Sequence, residues 1–265
     1  MIRIYLSILA VLLTALPVSA RGLSLEVGLD VTSGDYGTDE TVTGVTIPLT
    51  VSYSAERYSL AVTLPWVSQS KGTTVFMGGR RFDNGVPGGT IIGGGGMGSR
   101  RIDTTESNSG LGDASLDADL VLWRPASGPE IRLLGYLKAP TGDDDKGLGT
   151  GAWDFGGGLS ARQDLSDWFL DGSLRAIFPG ENGDFQPDQY WDWTASVGRY
   201  QGEHLWFSGG LEGATAPYDG GDNALEVVGR CGWDGEGFGF GGHLLAGLSN
   251  GSPDIGGGVF VYRSF

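Results

Sequence analysis

Apolar and polar residues alternate with a period of two along most of the chain, and this pattern constrains the fold more than any other feature. The stretch EIRLLGYLKA places Ile131, Leu133 and Leu137 on one face and Arg132 and Lys138 on the other. Each such segment is long enough for a tilted strand to cross a bilayer, which takes about 9–11 residues. The pattern predicts 12 strands, at 23–33, 42–54, 58–68, 114–124, 129–139, 153–165, 168–178, 189–200, 205–215, 224–234, 238–248 and 255–265.

The lengths of the connections alternate as well. Links after the even-numbered segments are short, as at 55–57 and 234–236, whereas links after the odd-numbered segments are mostly longer, as at 69–113 and 140–152. Short turns on one rim and long loops on the other are typical of outer-membrane barrels. Because lipid offers no hydrogen-bond partners, such a sheet must close on itself. The sequence therefore predicts an all-β fold, a transmembrane antiparallel up-and-down β-barrel of about 12 strands with periplasmic termini.

Composition agrees with an exported β-structure and excludes some alternatives. Glycine contributes 49 of 265 residues, but an aromatic content of 11% argues against disorder. The net charge of −15 argues against nucleic acid as a partner. Cys231 is the single cysteine, so no internal disulfide forms. We predict interfacial aromatic girdles at Trp153, Trp168, Trp191, Trp193, Phe207 and Trp233, which fall near segment ends on the apolar face.

The N-terminus has the pattern of a secretory signal peptide. Arg3 precedes an apolar run over 4–16, and VSA at 18–20 offers the small residues of a cleavage site. A retained membrane anchor is the alternative, but the run is short for a membrane span. We predict a signal peptide at 1–20, a barrel at 21–265, and a location in the Gram-negative outer membrane.

The loop APTGDDDKGLGTGA, at 139–152, raises the question of a ligand site. A phosphate-binding loop needs Ser or Thr after its lysine and a helix beyond it, whereas Lys146 precedes Gly147 and a strand. A calcium loop alternates its oxygen ligands and closes with glutamate, whereas Asp143, Asp144 and Asp145 are contiguous. We therefore expect a solvated hairpin loop, no metal site and no cofactor.

Three short motifs carry a resemblance to a known family. GLGD at 110–113, KAPTGD at 138–143 and GTGAWDF at 149–155 resemble the outer-membrane family named for the meta-pathway of phenol degradation, as does the final segment 249–265. The resemblance implies a barrel related to those that carry hydrophobic compounds, including fatty acids and aromatics, across the outer membrane. The terminal Phe265 is similar to the signal that the barrel-assembly machinery recognises.

The inward face of the barrel is the predicted functional surface. Alternation places these charged and polar residues there as pore-lining candidates: Asp117, Asp119, Arg132, Tyr136, Lys138, Arg162, Asp171, Arg175, Glu212, Glu226 and Arg230. They either line a polar pore or form a cross-strand ion-pair network that fills the lumen. Eight strands are filled by side chains and 16–18 leave an aqueous channel, so about 12 predict a narrow bore.

The connection 69–113 contains the candidates for a gate, Arg80, Arg81, Arg100 and Arg101. These arginines either pair with lipopolysaccharide phosphates, fold inward onto the acidic lining, or remain solvated.

The expected function is passive passage of small, hydrophobic or aromatic solutes without catalysis. A closed structural or adhesive barrel and a lipid-active enzyme are the alternatives. His204 lies in a short turn and His243 on an inward face, so neither predicts a catalytic site.

Overall fold

The structure is a computed structural model that describes residues 22–36, 41–70, 74–77, 80–83, 107–183 and 186–265. The predicted signal peptide lies outside the described residues. The strands are β1 (Leu23–Gly34), β2 (Val42–Ser54), β3 (Tyr58–Gln69), β4 (Thr74–Met77), β5 (Arg80–Asp83), β6 (Asn108–Leu111), β7 (Ala114–Trp123), β8 (Glu130–Ala139), β9 (Asp154–Leu165), β10 (Trp168–Phe178), β11 (Tyr190–Gln201), β12 (Leu205–Ala214), β13 (Ala224–Gly235), β14 (Phe238–Gly247) and β15 (Ile255–Ser264).

Twelve of these strands close into an antiparallel barrel, as the sequence predicts. Each long strand pairs with its neighbour along the chain, β3 pairs with β7, and β1 pairs with β15 to complete the ring. Closure removes the sheet edges, so backbone groups in the wall find partners without water. The described helical element is one 3₁₀ turn, Asp144–Lys146. No helix in the described residues has the length and apolarity to cross a membrane.

The connection 69–113 is more structured than the sequence predicts. β4 and β5 form a hairpin of their own, and β6 pairs with the end of β3, so that β6 and β7 together extend one barrel wall. The alternating pattern predicts no strand within 69–113, so these three strands are additional to the prediction. They were missed because four-residue strands are too short to show a period of two.

An apolar belt surrounds the outside of the barrel. Each of the 12 barrel strands contributes an exposed Leu or Val: Leu29, Val51, Val62, Leu120, Leu133, Leu159, Leu174, Val197, Leu211, Val227, Leu244 and Val259. A soluble protein does not expose a continuous apolar surface of this size. The belt therefore faces lipid.

The aromatic girdle residues predicted from the sequence lie on this outer face. Trp153, Trp168, Trp191 and Phe207 are exposed, and Trp193 and Trp233 are partly exposed. The ring of Trp233 stacks on that of Phe240, with centroids 5.8 Å apart. Aromatic side chains at these heights suit the headgroup region of a bilayer.

The belt predicts a depth-dependent cost of charge. Leu174, near the middle of β10, lies opposite Leu159 of β9, whereas Leu205 begins β12 beside a short turn. We expect Leu174→Arg to lower the free energy of unfolding in liposomes by about 2–4 kcal/mol, and Leu205→Arg by about 0–1 kcal/mol. Guanidinium titration followed by tryptophan fluorescence measures both. Equal losses for the two variants would contradict a lipid-facing belt.

Candidate functional site in the barrel interior

Contacts that cross the lumen identify the inner face of the barrel. Arg175 on β10 donates to Asp117 on β7, with the two strands β8 and β9 between them, and Nη1 and Oδ1 are 3.0 Å apart. It also forms a salt bridge with Asp192 on the adjacent β11, with an Nη2–Oδ2 distance of 2.9 Å. Its guanidinium lies 5.4 Å from the ring centroid of Tyr136. Arg175 is therefore the centre of a charged layer that reaches between non-adjacent strands.

A second charged layer lies nearer the short turns on β7 and β8. Arg132 donates to Asp119 and to Glu130, and Ser59 of β3 donates to the same Asp119. Glu130 is also paired with Arg124 at the start of the turn. The cluster links three adjacent strands through side chains, in addition to their backbone ladders.

A third layer joins the barrel wall to the hairpin β4–β5. Arg230 of β13 pairs with Glu212 of β12. Arg80, at the start of β5, donates from Nη1 to Oε1 of Glu226 at 2.8 Å, and its Nη2 lies 3.8 Å from Oε2 of Glu212. Arg80 therefore contacts two acidic residues of the predicted lining. Arg81 is the next residue of the same strand, but its side chain, Arg100 and Arg101 lie outside the described part of the chain.

The hairpin also places an apolar side chain inside the barrel. Met77, the last residue of β4, is 1% exposed and packs in a cluster with Ile177, Tyr190, Ala214 and Ala224. Tyr136 lies against the same cluster. These wall residues stand near the long-loop ends of their strands, so the hairpin narrows the lumen there. The sequence gives no sign of this contact, because Met77 comes from a connection without a regular pattern.

Lys138, predicted to line the pore, is instead completely buried at the long-loop rim. Its Nζ lies 2.9 Å from Oδ2 of Asp113 and 2.9 Å from Oδ2 of Asp154, and it also donates to Thr150. The side chains of Lys138, Asp113 and Asp154 are at most 3% exposed. We call these four residues the rim cluster.

The rim cluster brings together the three motifs that carry the family resemblance. Asp113 ends GLGD, Lys138 begins KAPTGD, and Asp154 precedes the Phe of GTGAWDF. Asp113 also accepts from the backbone N–H groups of Gly142 and Thr150, at 2.8 and 3.1 Å. The motifs therefore have a structural role, because they fasten the loop 140–153 to the wall.

The expectation of a solvated loop at 139–152 is consequently wrong for its second half. Leu148 is fully buried against Val67 of β3, and Thr150 is 3% exposed. Gly147 allows this path with a left-handed φ of 67°, which closes the 3₁₀ turn. The polar composition of the loop conceals the burial, because a single leucine carries the packing.

The acidic triplet of this loop is engaged within the protein. Carboxylate oxygens of Asp143, Asp144 and Asp145 lie within 4.8 Å of one another. Asp143 accepts from Lys146 Nζ at 2.5 Å, and this hydrogen bond lowers the pKa of Asp143. Asp144 accepts from Asn182 of the next loop at 2.7 Å. Asp143 is therefore held within its own loop, whereas Asp144 links this loop to the next one.

The half of the lumen next to the short turns contains a chamber of about 460 Å³. Four of the predicted residues lie on its wall: Arg162, Asp171, Glu212 and Arg230. The predicted lining did not include the aromatic residues of this wall, since Tyr136 was its one aromatic member. The aromatic members of the wall are Phe169, Tyr200, Trp206, Phe260 and Tyr262.

The two histidines lie apart from each other. His243 of β14 faces Asp30 of β1, with Nε2 and Oδ1 3.6 Å apart. His204, in a short turn, has its Nδ1 2.7 Å from the carbonyl oxygen of Asp234. Both therefore have a structural partner, His243 on β1 beyond the intervening β15, and His204 on β13.

Comparison with solved structures shows the same barrel fold. An outer membrane channel from Pseudomonas putida F1 superposes with a TM-score of 0.70 at 18% identity, over 95% of this chain and 97% of that one. The KdgM porin gives a TM-score of 0.55 at 11% identity over 91% and 99% of the two chains. The NanC porin gives 0.52 at 11% identity over 91% and 98%. At these identities the likeness concerns the fold.

The sequence comparisons identify the family. No curated protein sequence matches the chain. The model of the family described as the MetA-pathway of phenol degradation matches residues 17–224, well over half of the chain. This match extends through β1 to the beginning of β13 and includes the rim cluster. The chain is thus a closed outer-membrane β-barrel and belongs to the MetA-pathway of phenol degradation family.

Proposed function

We propose that this barrel is a passive channel for small molecules across the Gram-negative outer membrane. The observation that carries the proposal is the chamber of about 460 Å³ inside a closed barrel whose outer surface suits lipid. A volume of this size accommodates a small organic molecule. A barrel built only as a structural wall has no need of such a space, since the side chains of a smaller barrel, with about eight strands, fill its interior completely.

The charged layers of the interior serve as the pore lining in this proposal. Asp117, Arg175 and their partners neutralise one another across the lumen, so the lining is polar without a dominant charge. Such a lining favours small solutes with few charges, because a strongly charged solute would have to displace existing ion pairs. Ten of the eleven predicted residues are proposed to line the pore. The eleventh, Lys138, instead holds the loop 140–153 to the barrel wall.

The hairpin β4–β5 is the proposed gate. Its Met77 packs inside the barrel and its Arg80 pairs with Glu226 and Glu212. These contacts are non-covalent and come from a loop, so the hairpin has the means to leave the lumen without disturbing the wall. A solute then passes from the gate to the chamber and on to the periplasmic rim.

In this proposal the barrel performs no chemical step. Support comes from the fold, which is shared with a channel and two porins, and from the structural contacts of both histidines. The same proposal includes a signal peptide at 1–20 and contacts of Arg100 and Arg101 with lipopolysaccharide. It also includes recognition of the strand ending at Phe265 by the barrel-assembly machinery. Export requires the signal peptide, and assembly in the outer membrane requires recognition of the C-terminal strand.

Single-channel recording in a planar bilayer tests the proposal. We expect stepwise conductance when the refolded mature protein inserts, because the chamber and the charged layers hold water and ions. Heat-denatured protein is the control. Absence of steps in both the wild type and the Arg80→Ser variant, with insertion confirmed by protease protection, would overturn the channel and favour a closed structural barrel.

A further inference from the structure

Two glutamates face each other across the strand pair β12–β13 on the inner face of the barrel. Glu212 and Glu226 are direct partners in the register of this pair. Their side chains are 18% and 5% exposed, so little water solvates either carboxylate. Like charges directly opposite each other destabilise a sheet. This glutamate pair therefore needs a positive partner.

Part of that positive charge comes from a loop rather than from the barrel wall. Arg230 of the wall pairs with Glu212. The guanidinium of Arg80 reaches both glutamates, 2.8 Å from Oε1 of Glu226 and 3.8 Å from Oε2 of Glu212. Among the described residues, Arg80 is the one basic side chain paired with Glu226. The glutamate pair thus already holds a guanidinium group.

The glutamate pair stands where the hairpin ends and the chamber begins. Ala214 and Ala224 face each other at the next inward position toward the long loops, and both pack in one cluster with Met77 of the hairpin. On the other side, Glu212 lies on the wall of the chamber. A solute that follows the proposed path therefore meets the glutamate pair as soon as the hairpin has left the lumen.

Withdrawal of the hairpin leaves the glutamate pair with one cation too few. Arg230 still neutralises Glu212, but the carboxylate of Glu226 is then buried without a charged partner. An unpaired buried charge is strongly destabilising, so the open barrel gains stability when a cation enters. A guanidinium group suits the position better than a spherical ion, because its planar fork of N–H groups donates to carboxylate oxygens in a fixed geometry.

We propose that Glu212 and Glu226 form a binding site for small solutes that carry a guanidinium group, and that Arg80 occupies this site as a tethered competitor. The inference rests on the proposed function, because it takes withdrawal of the hairpin as the opening of the channel. A solute of this class replaces the ion pair that Arg80 gives up with one of the same kind. It therefore enters the paired lining without a net loss of contacts.

The test adds guanidinium chloride at millimolar concentration to the Arg80→Ser variant in a planar bilayer. Guanidinium should bind in place of the missing side chain and interrupt the current. Tetramethylammonium carries the same charge but no N–H donor, so it should leave the current unchanged at equal concentration. In the wild type the half-blocking concentration of guanidinium should be up to about ten-fold higher, because Arg80 competes for the same carboxylates.

Two glutamine variants in the Arg80→Ser background locate the site. Glu226→Gln should raise the half-blocking concentration of guanidinium about ten-fold, through the loss of one charge-assisted hydrogen bond. Glu26→Gln is the matched control, because Glu26 lies opposite the chamber residue Tyr262 on β1, and β14 and β15 separate it from β13. Equal effects of the two variants, or equal block by the two cations, would overturn the site while the currents uphold the channel.

Calorimetric titration with methylguanidinium in detergent detects the site without conduction. We expect binding to the Arg80→Ser variant and none once Glu226→Gln is added. Binding to a barrel that never conducts would uphold the site and overturn the channel. A conducting Arg80→Ser barrel that binds no methylguanidinium would overturn the site and uphold the channel.

Discussion

Replacing Lys138 by methionine is expected to lower the free energy of unfolding by about 3–5 kcal/mol. The substitution keeps the length of the side chain but removes the ammonium that lies 2.9 Å from both Asp113 and Asp154. Two buried carboxylates would then face each other without a cation, and the loop 140–153 would lose its attachment to the wall. Unfolding in detergent, followed by the loss of heat-modifiable mobility in gel electrophoresis, measures the effect.

Lys146 offers a matched control in the same loop. It also pairs with an aspartate, Asp143, but its side chain is 51% exposed. Lys146→Met should cost less than about 1 kcal/mol, because an exposed ion pair contributes little. If the two lysine variants lost the same stability, burial would not be the source of the effect, and the rim cluster would not fasten the loop.

Replacing Arg80 by serine is expected to open the proposed channel about ten-fold more often. Charge-assisted hydrogen bonds of the kind that Arg80 makes with Glu226 contribute about 1.5–3 kcal/mol each. A loss of about 1.4 kcal/mol shifts a two-state equilibrium ten-fold, here toward the hairpin outside the lumen. The fraction of time in the conducting state, taken from single-channel records, measures the shift.

The control for this variant is Arg124→Ser. Arg124 pairs with Glu130 at the opposite rim and touches no part of the hairpin in the described structure. Its open fraction should equal that of the wild type. A wild-type open fraction in Arg80→Ser would remove Arg80 from the proposed gate, and the burial of Met77 would then be the contact left among the described residues to hold the hairpin in place.

The period of two determined the strands, the closure and the lipid face, because alternation and length are local properties of each segment. Leu174 and Arg175 are neighbours in sequence, and the pleat alone sends one to lipid and the other to the lumen. The candidate lining followed from the same alternation. The family resemblance followed from short sequence motifs. Arg175 was thus identifiable from sequence, whereas its partner across the lumen was not.

Tertiary structure decided which interior residues meet. Shear of the closed sheet sets the height at which Arg175 reaches Asp117, and no sequence pattern encodes that distance. The same holds for Met77, which enters the lumen from a loop, and for Lys138, which the rim buries between two aspartates separated widely in sequence. Alternation assigns a side chain to a face, but the closed ring of strands decides whether that face meets water, a partner or a loop that folds back into it.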